Sequence, residues 1–155
     1  MVLPHFAKGM NPCVRGGVAT LASCKAKLRE GCRVGDAVLI FSKIAGGELL
    51  FCMRVDRKVP YADYCDSGRP DALYTHERGE YTRRRGGEFA EHHHDPNDWR
   101  KDVGGRFALW GSFSECRGVP ADSPLLRLGR SRNYQYRATA AEARACWPII
   151  AALLA

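Results

Sequence analysis

The chain has 155 residues, 45% of them apolar and 26% charged, a balance that suits one folded domain and excludes a disordered polymer. Lys and Arg number 24 against 17 Asp and Glu, giving a formal charge of +7. That charge draws nucleic acid, nucleotides or acidic surfaces without choosing among them. The one strongly apolar run, 149–155, is far too short to span a bilayer, so no membrane partner is expected.

In chain order, residues 1–4 read as the end of a strand. Residues 8–17 carry Gly9, Pro12, Gly16 and Gly17 and read as a loop. Val18, Leu21, Ala22 and Leu28 recur at helical spacing, predicting a helix over 18–30 that Gly31 stops. Val34-Gly35-Asp36 is a turn, and 37–41 is a continuous apolar run that predicts a buried strand. Gly46-Gly47 reads as a hairpin turn returning into a strand over 48–55. Pro60 can open a short helix over 60–65. Residues 66–105 are rich in Gly, Pro, Asp and Arg and read as one long loop of the kind that carries function. A strand over 106–110 follows, then a Gly/Ser/Pro-rich stretch to Pro124 and the basic, aromatic run LLRLGRSRNYQYR. Thr139-Ala140-Ala141-Glu142 has capping-box form and opens a last helix, expected to end near Pro148 with Trp147 in the core.

Seven cysteines, Cys13, Cys24, Cys32, Cys52, Cys65, Cys116 and Cys146, make an odd count, with no pair at zinc-knuckle spacing. The opening MVLPHFAKGMNP lacks a charged start followed by a long apolar run, so reduced thiols in a cytoplasmic protein are expected.

Several residue groups could carry chemistry. Gly16-Gly17 ahead of a helix, with Lys25 and the hydroxyls of Thr20 and Ser23, reads as an anion-binding helix start or as a capped surface helix. Cys24 reads as a nucleophile supplied with a base by His92, His93 or His94, or as a buried structural cysteine. EHHHDPND could offer two histidines and a carboxylate from Asp95, Asp98 or Asp102 to a metal. Consecutive histidines on extended chain point to opposite faces, and an exposed polar loop is the preferred reading, with no metal and no cofactor expected. Two arginine clusters, Arg78, Arg83, Arg84 and Arg85 beside Tyr81, and Arg127, Arg130, Arg132 and Arg137 among Tyr134 and Tyr136, suit backbone contact with base stacking, or form a solvated basic face. Trp99 and Trp110 could stack on a base or fill the core. No Gly-rich loop has Walker spacing, and no His-x-Glu accompanies a Cys-x-x-Cys as in deaminases.

The segments NPCVRGGVATLASCKAKLREGCRVGDAVLIFSK, LLFCMRVDRKVPYADY, RPDALY and WRKDVGGRFALW resemble the type-two nucleotide-modification-associated domain, a family of small prokaryotic and phage proteins. The resemblance covers roughly residues 10–110 of a single domain over 1–155, and TLASCK is its most specific part. Ala26 stands where that family usually has proline, and Cys65 where it often has tryptophan. Asn11, Pro12, Thr20, Leu21, Cys24, Lys25, Arg29, Gly35, Asp36, Ser42, Lys43, Met53, Pro70, Asp71, Tyr74 and Asp102 match its pattern. The resemblance implies association with systems that modify nucleotides or bases in DNA, including phage and anti-phage settings.

A weaker, fold-level likeness is to PUA-like domains, EVE and YTH among them, whose pocket accepts a flipped base. The expected fold is a single α+β domain. Its mixed, mostly antiparallel sheet curls into an open PUA-like barrel with flanking helices, the 18–30 helix at the mouth. The expected function is recognition of a nucleotide or modified base in nucleic acid. Asn11, Thr20, Lys25, Ser42, Lys43 and Arg69 would bind the ligand, with Lys25, Ser42, Lys43 and Arg69 on phosphate, and Tyr74 and Trp110 would flank the base. The competing expectations are an enzyme with Cys24 as nucleophile or Asp71 and Asp102 as acid and base, and a subunit that acts only with a protein partner or as a homodimer.

Overall fold

The computed structural model describes residues 12–41, 48–89, 102–116, 119–129 and 138–155. The strand at 1–4, the Gly46-Gly47 turn, the histidine run and the Tyr134/Tyr136 cluster lie outside the described residues. The protein is a mixed α+β structure in which every described strand pair is antiparallel.

The chain begins with a hairpin of β1 (Cys13–Arg15) and β2 (Val18–Leu21). Gly16 and Gly17 both have positive φ (59° and 73°), as a two-residue type I′ turn requires. This replaces the described part of the loop expected over 8–17 and the first half of the expected 18–30 helix. Ala19, Thr20, Leu21 and Ala22 are buried without interruption, because β2 has packed layers on both faces. A strand of that kind has no alternation to distinguish it from a helix. The helix is confined to α1 (Ala26–Gly31).

The strand expected over 37–41 is β3 (Ala37–Phe41), and it pairs with β4 (Leu49–Arg54). After Val55-Asp56 the chain continues as β5 (Arg57–Pro60) and, with Pro60 as N-cap, as α2 (Tyr61–Cys65). Within the stretch expected to be one loop, β6 (Tyr74–Glu77) and β7 (Glu80–Arg83) form a second hairpin, turned by Arg78 and Gly79 at positive φ. Then come β8 (Phe107–Gly111) and β9 (Phe113–Glu115), followed by α3 (Pro124–Gly129) and α4 (Ala140–Leu153). The capping box at Thr139 and Glu142 forms as expected. Pro148 does not end the helix, which runs one more turn because Cys146, Ile149, Ile150 and Leu153 anchor both sides of the proline on the core. Trp147 faces outward at 44% exposure, so it is not a core residue.

The strands form two sheets, β1-β2-β8-β5 and β3-β4-β9, plus the β6-β7 hairpin. The two sheets share a bent ribbon, in which β4 and β5 run along one arm and β8 and β9 along the other. At the bend, Arg54 N–H donates to Ser112 O, Asp56 N–H donates to Trp110 O, and Ser112 N–H donates to the Asp56 carboxylate (2.7–2.9 Å). A Cβ on Gly111 would lie 1.7 Å from Arg54 O, so only glycine lets the arms approach there. Among the described residues the ladder does not close into a barrel.

Three apolar layers result. Ala19, Leu21 and Leu109 meet Val38, Ile40, Phe51 and Met53 between the sheets. The β3-β4-β9 sheet packs its other face, through Cys52 and Leu49, on Leu125, Cys146 and Ile150 of α3 and α4. The first sheet packs its outer face on Tyr61, Tyr64 and Tyr74 of α2 and the β6-β7 hairpin.

Candidate functional site: a tryptophan groove over a buried carboxylate network

The outer face of the first sheet carries the candidate site. Strand register sets Cys13 against Thr20, Thr20 against Trp110, and Trp110 against Arg57. Cross-strand partners project to the same face, so these four side chains form a row across the sheet. The row divides into a buried end at Thr20 and an open end at Trp110 and Arg57.

At the buried end stands Asp71, fully enclosed. Its carboxylate accepts hydrogen bonds from Tyr64 Oη (2.7 Å) and Thr20 Oγ1 (3.0 Å). Burial raises its pKa above the ordinary carboxylate range, while the Tyr64 and Thr20 hydroxyls and Arg69 oppose the shift. Arg69 donates to the carbonyls of Arg15 (2.9 Å), Cys13 (3.1 Å) and Val18 (3.2 Å), holding the β1-β2 hairpin. Its guanidinium also lies 5.3 Å from the Trp110 ring centroid.

A second buried centre lies at Asp102. Its carboxylate accepts from Cys24 N–H and, at 3.4 Å, from Tyr74 Oη. Arg29, with no exposed surface, donates to Cys24 O (2.8 Å), to Phe107 O and to Asp102 O, its guanidinium 5.4 Å from the Tyr61 ring centroid. Burial lowers the pKa of Arg29. Arg29 thus ties the approach to α1, the start of β8 and the Asp102 segment together.

The open end is a groove of about 430 Å³ between the β5-β8 edge and α2. That volume lies within the roughly 300–1,000 Å³ of small-molecule sites. Pro60, Asp63, Tyr64 and Ser67 line it from the α2 side at spacings of three, four and seven, the pattern of one helix face. Arg57, Lys58, Val59 and Trp110 line the other side. Trp110 stacks edge-on with Tyr64 at 6.2 Å, and the Arg57 guanidinium lies 5.6 Å from its centroid. Lys58 directs its ammonium to Glu30 O and Cys32 O at the end of α1 (2.5 and 2.9 Å), so its charge is used in the fold.

These positions sort the expected site residues. Trp110 is on the groove, and Arg69 touches it from behind with its donors on main-chain carbonyls. Tyr74 is buried and bound to Asp102, so it does not flank an open base site. Thr20, Asp71 and Asp102 are enclosed and hydrogen-bonded, away from solvent. The expected helix start after Gly16-Gly17 does not exist, since those glycines turn a hairpin and α1 begins at Ala26. Cys24 and Lys25 are half-buried, in left-handed backbone just before α1 (φ 53° and 47°). Asn11, Ser42, Lys43 and the histidines proposed to serve Cys24 lie outside the described residues, as do Trp99, Asp95 and Asp98. Among the described arginines of the first cluster, Arg84 is committed to Tyr74 O and Cys65 O and Arg83 lies over the Tyr74 ring.

Arg57, Asp63, Tyr64 and Ser67 were not singled out from the sequence. Three of them sit in YADYCDS at the spacing of one helix face, a signal that was present. Their meeting with Trp110 depends on long-range register.

Among the described residues no three His, Cys, Asp or Glu side chains converge as a metal would require. None of the seven cysteines is disulfide-bonded. No helix among the described residues is long and apolar enough to cross a membrane. No family model matches the chain, and no curated protein or solved structure is significantly similar to it.

Proposed function

We propose that the protein recognises a nucleotide or a base, plain or modified, in nucleic acid, and that it serves a DNA-modification or phage-related system in the cytoplasm. The observation that carries this reading is the half-buried Trp110 on the wall of a groove large enough for a nucleotide, with the exposed Arg57 over its ring, on a chain of net charge +7. Stacking on an aromatic ring beside a cation is how single-stranded bases are held, at about 1–3 kcal/mol per stacked base. The bent ribbon at Gly111, which joins the two antiparallel sheets, supports the reading of an open PUA-like barrel, of which it would be a corner.

The test is fluorescence anisotropy with labelled single-stranded and duplex DNA, plain and base-modified, across a salt series. Wild type is expected to bind one class with a negative salt slope. Trp110→Ala is expected to weaken that binding about tenfold or more. Arg57→Ala, at an exposed site, is expected to lower affinity and reduce the salt slope by about one. Absence of binding to every DNA would overturn the reading.

One observation favours an enzyme instead: two consecutive non-glycine residues, Cys24 and Lys25, hold left-handed backbone beside Asp102. Such strain collects at working sites. Cys24→Ser separates the two readings, since recognition survives it and covalent catalysis does not.

A further inference from the structure

Asp63 stands out in the groove by what it lacks. It is exposed in the first turn of α2 and lines the same groove as Trp110. Among the described residues no cation pairs with its carboxylate, although Arg57 and Lys58 line the groove and Arg69 lies behind its tryptophan. Each of the three is engaged elsewhere. Lys58 is held at the end of α1, Arg69 on the carbonyls of the β1-β2 hairpin, and Arg57 lies over the indole. An uncompensated carboxylate beside a stacking ring works against phosphate, but it is an acceptor for ligand N–H groups.

Resting on the function proposed above, we infer that Asp63 selects the base: its two oxygens accept the ring N–H and the exocyclic amine of a guanine-type base that displaces the exposed Arg57 side chain and stacks on Trp110. The choice follows from donor and acceptor patterns. An ionised carboxylate offers acceptors only, on two oxygens. Guanine presents two adjacent donors on its pairing edge. Adenine and cytosine present one amine beside a ring nitrogen that repels a carboxylate, and thymine presents one N–H between two carbonyls. Ser67, one turn beyond Asp63, accepts from Arg69 N–H at 3.3 Å and keeps its own hydroxyl proton to give to the base carbonyl.

The experiment uses labelled single-stranded thymidine decamers carrying one central guanine, hypoxanthine, adenine or cytosine. Wild type is expected to bind the guanine decamer about tenfold more tightly than the hypoxanthine decamer, which lacks the exocyclic amine. Asp63→Asn is expected to erase that preference and leave the salt slope unchanged, with far-UV circular dichroism confirming the fold. Two results overturn the inference while the proposed function stands: equal, Trp110-dependent binding of all four decamers, or a guanine preference that survives Asp63→Asn. Failure of every decamer to bind overturns the inference, and the proposed function falls with it only if duplex and base-modified DNA also fail to bind.

Discussion

Asp71 and Asp102 read in the sequence as an acid and a base, and the structure places each in a buried hydrogen-bond network. Each is fully enclosed and collects donors from segments far apart in the chain. Burial raises the Asp71 pKa, so the folded protein holds a proton that the unfolded chain releases near pH 4. The native state then binds more protons, and stability falls as pH rises from about 4 through the folded pKa, by up to about 1.4 kcal/mol per pH unit. Asp71→Asn removes this dependence. The stability difference between variant and wild type, from urea unfolding over a pH series rising from about 4, is expected to shift in favour of asparagine until the folded pKa is passed. A constant difference would show that Asp71 does not titrate in this range. Arg29 is the complementary case. Arg29→Met removes the guanidinium from three carbonyls, one buried and two part-buried, and a loss of about 3 kcal/mol or more in urea unfolding is expected.

The elements most legible in the sequence were those with one apolar pattern and a clear stop. The run AVLIF gave β3, and the Thr139 capping box fixed the start of α4. The failures have particular causes. Residues 19–22 are buried on both faces, and their apolar content fits a helix and a doubly covered strand equally. In α4, Pro148 removes one backbone bond, but Cys146 and Ile150 hold the neighbouring turns in place. Trp147 lies between them in sequence but off the buried stripe, so its apolar neighbours disguised its exposure. The groove was half visible. Trp110 was a candidate, whereas Arg57 reaches it only through the β5-β8 register and Asp63 only through the placement of α2. The bend that brings the two sheets together rests on Gly111, which looks ordinary in the sequence. Gly111→Ala drives a Cβ into Arg54 O, a backbone atom that cannot swing aside. Its cost is expected to exceed the roughly 1–3 kcal/mol of ordinary overpacking, read as a lowered urea midpoint or as insoluble expression. Gly16→Ala, where a Cβ meets nothing within 4 Å, carries only the cost of its positive φ and is the milder comparison.

At the scale of the whole molecule, the three apolar layers dictate how the protein meets alkali. Each layer except the one between the sheets encloses thiols: Cys13 and Cys65 in the α2 layer, and Cys52, Cys116 and Cys146 in the α3-α4 layer. Burial pushes the thiol of Cys13 up to about 12, that of Cys52 up to about 12, and that of Cys65 up to about 11. An unfolded cysteine releases its proton near pH 8.5. Between that value and the folded pKa values the native state therefore holds protons that the unfolded chain has lost, and stability falls as pH rises. Burial moves the phenols of Tyr61, Tyr64 and Tyr74 in the same direction, which adds to the loss above pH 10. Each such group contributes up to about 1.4 kcal/mol per pH unit, against a total stability on the order of 5–15 kcal/mol. The melting temperature is thus expected to drop steeply between pH 9 and 11 in reducing buffer, where oxidation cannot contribute. Replacing Cys13 and Cys52 together by alanine is expected to flatten the drop, even though the two cavities lower the melting temperature at pH 7. A thiol reagent at pH 8 provides an independent reading: the half-buried Cys24 and Cys32 should label in the native state before the five enclosed cysteines do. Uniform labelling of all seven would mean that the layers open readily, and the alkaline transition would then belong to a looser molecule than the one described.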